Sequence, residues 1–251
     1  MTRLDWIVAK VRRFAELRRA LPLAAAALLI GSLFLPAWRI ILSAPQYRDD
    51  LMVELYAYPR LGGDFEEVQL LNSYVGFHYP DPVFVTPNFE VHEAAIAVPE
   101  WTFGPLAFIG VAAAGVFVAL APTERKLRLG LTGQLIGTLA VFGGMFAVIQ
   151  YRLHQAGHSL DPTAPMTGYD GFTPPVFGSY EIANISGFAT FGPGGYLALA
   201  AVVLLVIAFF LRKTPATFLD IPALLRSGAS RVKQRLPVGS SRDQDTTEVA
   251  D

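Results

Sequence analysis

Four stretches of the chain are long, apolar and nearly free of charge. Residues 21–44 open Leu-Pro-Leu-Ala-Ala-Ala-Ala-Leu-Leu-Ile and meet no charge before Arg39, while residues 101–121, 129–151 and 192–211 contain no Asp, Glu, Lys, Arg or His. About 20 helical residues at ~1.5 Å each cross a ~30 Å hydrocarbon core, so each stretch predicts a transmembrane helix. The first is read as a retained span, because Pro36-Ala37-Trp38-Arg39 lacks a small-x-small cleavage pattern. Before it, residues 1–20 place Trp6, Ile7, Val11, Phe14 and Leu17 on one face with Arg12, Arg13, Arg18 and Arg19 around it, which predicts an amphipathic interfacial helix. The polar intervals are 45–100, 122–128, 152–191 and 212–251, the last ending in a Ser-, Arg- and Asp-rich stretch from 236 expected to be disordered. The expected fold class is an all-α integral membrane protein with four transmembrane helices and a small mixed, loop-rich extracytoplasmic cap.

Charge gives this pattern a direction. Sixteen of the 20 Lys and Arg residues fall in 1–20, 122–128 and 212–251, a bias that predicts these segments and both termini to be cytoplasmic. The intervals 45–100 and 152–191 hold 13 of the 21 acidic residues, an outer surface that repels nucleic acid. The composition, 53% hydrophobic and 16% charged with mean hydropathy +0.41, agrees with a membrane class. Zero cysteines exclude disulfides, thiolate metal sites and a cysteine nucleophile. No span carries a charge at mid-depth, which argues against channels, pumps and transporters. Gly133 and Gly137 form a small-xxx-small pair, expected to pack the second and third spans closely.

The informative residues are in the two outer intervals. The alternation over 51–58 predicts a half-buried strand, and 65–72 a short helix or strand. Gly192, Gly194 and Gly195 around Pro193 suit a tight entry into the last span. All four histidines, His78, His92, His154 and His158, lie outside, with Met52 and Met166 on the same side. Imidazole and thioether donors together suit copper. His154 and His158 stand four apart, but Gly157 and the Ser-Leu-Asp-Pro that follows predict a helix end there. Asp64, Glu66 and Glu67 are adjacent rather than set across a cleft, and no catalytic or phosphate-binding motif is present, so no enzyme is expected.

Four blocks carry a resemblance: Ala44-Pro45-Gln46-Tyr47, Leu71-Asn72-Ser73-Tyr74-Val75-Gly76-Phe77, Gly157-His158-Ser159-Leu160-Asp161-Pro162-Thr163-Ala164-Pro165, and Pro174-Pro175-Val176-Phe177-Gly178 with Ile182-Ala183-Asn184. In these the chain resembles poorly characterised bacterial four-span membrane proteins encoded near nitrous oxide reductase maturation and copper-handling genes. The second block resembles that family's Leu-Asn-His-Tyr-Ile-Gly-Met, with Ser73 and Phe77 in place of its His and Met. The resemblance leaves His78, His158 and Met166 as the candidate copper ligands. It also gives Asn72, Tyr74, Gly76, Asp161 and Pro162 a structural role: side chains bonding loop backbone, a positive φ angle and a fixed turn. The expected function is a non-enzymatic membrane accessory protein that assists assembly of, or copper supply to, a periplasmic or membrane respiratory metalloenzyme. Its expected partners are the lipid bilayer and other membrane or periplasmic chains. The alternative is a structural subunit of a larger membrane complex without a metal site, its outer aromatics Phe84, Phe89, Phe172, Phe177, Phe188 and Phe191 buried against partner chains.

Overall fold

The computed structural model describes residues 16–81, 95–166, 171–182, 184–217 and 220. The expected tail disorder, His92, Phe84, Phe89 and most of the interfacial helix lie outside these residues. The helical part holds α1 (Leu17–Ser32), α3 (Gly104–Ala119), α4 (Glu124–His158) and α5 (Pro193–Phe210), with a shorter helix α2 (Phe65–Val75) between strands. Three helical stretches, Pro99–Ala119, Glu124–His158 and Pro193–Lys213, are long and apolar enough to cross a membrane.

The first span is shorter than its apolar run. Helix α1 stops at Ser32, and the chain continues as strand β1 (Trp38–Ser43), inside the predicted 21–44 span. Pro36 disfavours helical geometry at Leu35, and the β-branched pair Ile40-Ile41 favours a strand. At the other end, residues 17–20, expected to belong to the interfacial helix, form the first turn of α1.

Helix α1 packs on α3 and α5. Their shared core is small and apolar: Ala25, Ala26 and Leu29 against Phe108, Val111 and Ala112, and against Ala198, Ala201 and Leu205. Helix α4 lies at the border, with only 11% of its apolar window buried. Gly133 and Gly137 correct the packing expectation, for both are exposed and a Cβ on either would meet nothing within 4 Å. The close approach to α4 is made instead at Gly115, where a Cβ would come within 2.8 Å of Gln134 Nε2 and 2.9 Å of the Pro22 carbonyl. At one end of the bundle Arg19 Nη1 donates to the carbonyls of Ala119 (2.7 Å) and Ala121 (2.9 Å), and Arg18 reaches Glu16 and Glu124 at 2.8 Å. A guanidinium on the terminal carbonyls of α3 satisfies groups that have no partner within the helix.

At the other end stands a sheet, and the all-α expectation is corrected. Five antiparallel strands run in the order β3-β2-β1-β7-β6, with β2 Leu51–Leu55, β3 Leu61–Gly63, β6 Gly178–Ile182 and β7 Ile185–Phe191. The β1–β2 register pairs Trp38 with Leu55, and the β1–β7 register runs from Trp38 opposite Phe191 to Ser43 opposite Ser186. The predicted strand over 51–58 is thus real at 51–55, whereas β7 falls in an interval expected to be loops. A two-stranded parallel pair, β4 (Tyr79–Asp81) with β5 (Ala95–Ala97), lies beside it. Helix α2 covers the sheet with Phe65, Val68, Leu71 and Val75, which join Leu42, Leu51, Val53, Leu61, Ile182 and Ile185 in one core. The sheet is continuous with the bundle: β1 follows α1, and β7 leads into α5 through Gly192 and Pro193. There the Gly194 N–H donates to the Pro36 carbonyl at 2.8 Å, and a Cβ on Gly194 would collide with the Ser32 and Leu35 carbonyls at 2.6 and 2.7 Å.

Candidate functional site in the cap

The intervals 45–100 and 152–191 meet at the C-terminal end of α2. Glu66 and Glu67 in the first turn suit the positive end of the helix dipole. The helix ends at Gly76, which sits at φ 81°. The Asn72 carbonyl accepts from both Gly76 N–H (2.8 Å) and Phe77 N–H (2.9 Å), which closes the helix. The second interval docks on this end. Asp161 N–H donates to the Gly76 carbonyl at 2.8 Å, and Met166 N–H to the Tyr74 carbonyl at 3.2 Å. A Cβ on Gly76 would lie 2.8 Å from the Ala164 methyl and 2.9 Å from the Asp161 carbonyl oxygen. Side-chain bonds were expected of Asn72 and Tyr74; instead the Asn72 main-chain carbonyl closes the helix, and the Tyr74 carbonyl, with that of Gly76, joins the two intervals.

Asp161 fixes the turn that makes this docking possible. Its Oδ1 accepts from Thr163 N–H (2.8 Å) and Thr163 Oγ1–H (2.7 Å), with exposed Pro162 between them. The Thr163 hydroxyl and then its N–H hold the Asp161 carboxyl below the usual range, with a smaller contribution from the charge of His78. Ser73 turns its hydroxyl back to the Gln69 carbonyl at 3.0 Å, and the Phe77 ring lies 5.8 Å from Phe172.

The candidate metal ligands divide between two environments. Met166 packs its side chain against the cap core with Phe172 and Tyr180. His158 is the last residue of α4, which continues past Gly157 where a helix end was expected, and its ring pairs with His154 at 4.1 Å between centroids. His158 Nδ1 lies 2.9 Å from the His154 carbonyl oxygen, and His154 Nδ1 lies 2.8 Å from Thr173 Oγ1. Among the described residues no group of three or more His, Cys, Asp or Glu side chains is placed to hold a metal ion. The spacing of four raised the pairing of His154 with His158, and the helix end expected at Gly157 argued against it; the helix runs through His158 instead, and the two rings meet.

This end of α4 is pinned to its surroundings. Arg152 donates to Glu100 Oε1 at 2.6 Å and to Gln155 Oε1 at 2.8 Å. Gln150 accepts from Val176 N–H at 3.1 Å and donates to the Pro174 carbonyl at 3.3 Å. Phe172 N–H donates to the Gly157 carbonyl at 3.0 Å. The Arg152 hydrogen bond holds the Glu100 carboxyl below its ordinary value.

Around these residues is an aromatic cluster in which Phe191 meets Phe146, Phe177 and Tyr196, and Phe177 meets Phe188, with paired centroids 5.6 to 6.5 Å apart. Exposed Phe34, Leu35, Phe103 and Leu106 sit at the same end of the bundle, a distribution that suits a membrane–water interface. Compared with protein-family models, curated proteins and solved structures, the chain matches none.

Proposed function

We propose that this chain is a non-enzymatic accessory protein of the bacterial cytoplasmic membrane, with four spans and both termini inside, whose outer cap assists assembly of, or copper supply to, a respiratory metalloenzyme. The observation that carries this reading is the union of both outer intervals in one sheet that continues through β1 and β7 into α1 and α5. Such a platform holds a partner-facing surface at fixed height and orientation above the membrane. Helix α1 counts as the fourth span: its 16 residues rise about 24 Å, exposed Phe34 and Leu35 extend the apolar stretch, and Arg18 and Arg19 anchor its inner end. The 16-to-4 split of basic residues gives the sidedness. Likeness to the copper-associated four-span family supports the metalloenzyme branch.

The test is a deletion strain in which the copper content and activity of membrane and periplasmic respiratory enzymes are measured. Loss of copper or of assembled enzyme, restored by the intact gene, supports the reading; unchanged enzymes overturn it. A second reading, a structural subunit of a larger complex, is favoured by the exposed face of α4, where Leu129, Ile136, Leu139 and Phe146 flank open glycines. A detergent-solubilised mass well above that of one chain, with stoichiometric partner chains, would select it.

A further inference from the structure

We propose that His154 and His158 form a two-imidazole chelate for a first-row divalent metal ion, tightest for Cu(II), at the outer end of α4. The proposal deepens the copper-supply branch above and rests on that reading for its biological use. Residues four apart on a helix share a face, and the rings of this pair stand 4.1 Å apart, the second of them on the last residue of the helix.

The hydrogen bond of His158 fixes which of its ring nitrogens is free, and that of His154 is compatible with the same choice. A carbonyl oxygen only accepts, so His158 Nδ1 must carry the proton it donates to the His154 carbonyl at 2.9 Å, and its Nε2 keeps the lone pair. Thr173 Oγ1, 2.8 Å from His154 Nδ1, can accept in the same way and leave His154 Nε2 as the donor to metal. A second hydrogen bond on the far ring nitrogen is the usual device that orients a metal-ligating imidazole. Both histidines are exposed, so an ion reaches them without rearrangement.

The helix turn that carries them is already held by Arg152–Glu100, by Gln150 on the 174–176 loop and by Phe172 on Gly157, so little conformational freedom is lost on binding. Helix α4 is about 52 Å long from its 35 residues. That exceeds a ~30 Å core and puts its last turns in water. Two neutral nitrogens suit Zn(II), Ni(II) and Cu(II), with Cu(II) favoured by the Irving–Williams order. The acidic outer intervals raise the local cation concentration. With two protein donors the remaining positions are open to water or to a partner's ligands, as handing an ion on requires.

The test uses the tag-free full-length protein in mild detergent, with CuCl2 alone as the probe, titrated against a chromophoric chelator and followed by electron paramagnetic resonance. One Cu(II) per chain with coupling to two nitrogens is expected. The variants His154→Ala and His158→Ala each lower affinity at least tenfold, while His78→Ala leaves it unchanged. Thr173→Val weakens it about tenfold through the lost orienting bond. Unchanged affinity in both His154→Ala and His158→Ala overturns the site, as does loss in His78→Ala alone. A spectrum with one nitrogen or none overturns it even if every variant misfolds. Copper held by the pair in a protein whose deletion leaves respiratory enzymes intact preserves the site and removes only the supply function. A deletion phenotype with no copper at the pair does the reverse.

Discussion

Substituting Gly76 probes the joint between the two outer intervals at its narrowest point. The residue sits at φ 81°, with the Ala164 methyl, the Asp161 carbonyl oxygen and the Asp161 nitrogen 2.8, 2.9 and 3.0 Å from where a Cβ would stand. An alanine there meets two separate costs, about 1–2 kcal/mol for left-handed backbone in a residue with a Cβ and about 1–3 kcal/mol for overpacking against main chain that cannot step aside. Gly76→Ala is therefore expected to destabilise the cap by roughly 2–5 kcal/mol. Gly76→Asn, which tolerates the left-handed region, removes most of the first cost and keeps the second. The measurement is thermal unfolding in detergent, with proteolysis of the cap as a second readout. The control is Gly133→Ala, where a Cβ meets nothing within 4 Å and the helix gains a better former. Equal melting of Gly76→Ala and wild type, with equal protease resistance, would refute the close docking of the two loops.

Other consequences follow from the same geometry. Because the chain has no cysteine, the pair Ser43→Cys and Ser186→Cys, directly opposite in the β1–β7 register, should oxidise to one intramolecular disulfide seen as a mobility shift on a non-reducing gel; an absent shift contradicts the register. Arg19→Met should cost about 2–3 kcal/mol in detergent unfolding, since it strips the Ala119 and Ala121 carbonyls of a charged donor. The Arg152–Glu100 bond gives a pH dependence. Its folded carboxyl titrates below the ordinary value of 4.5, so its stabilisation is fully present above that value and is lost as pH falls through the lower folded one. Glu100→Gln should therefore flatten the acid limb of the melting-temperature profile, and an unchanged limb would show that the bond does not form.

Much of the helical part was legible because a long uncharged run has few other uses. The third stretch was read as 129–151, and the helix runs from Glu124 to His158. It outruns the apolar run because Gln150, Arg152 and the Gly157 carbonyl find partners outside the helix, contacts that a hydropathy pattern does not contain. The first stretch failed in the opposite direction. A run such as Trp-Arg-Ile-Ile-Leu-Ser reads as a helix end or as a strand, and pairing with β2 and β7 on both sides decides for the strand. Strand β7 was missed although Ile185, Gly187 and Ala189 alternate in burial with Ser186 and Phe188, because glycine and proline density nearby suggested loops. Of the candidate site, the sequence offered the histidines but not their partners. Met166, a candidate ligand beside His78 and His158, packs against the cap core, while the helix expected to end at Gly157 carries His154 and His158 on one face.

The measurement that tests the account most directly is single-cysteine labelling in intact cells with a membrane-impermeant maleimide. The exposed positions Glu66 and Ser179, one in each outer interval, and Lys126 between α3 and α4 serve as probes, each changed to cysteine in the cysteine-free chain. A cap raised above the outer surface predicts that Glu66→Cys and Ser179→Cys label in intact cells and that Lys126→Cys labels only after lysis. Labelling of Lys126→Cys from outside, or protection of either cap position until lysis, would contradict the four-span arrangement on which the proposed function stands.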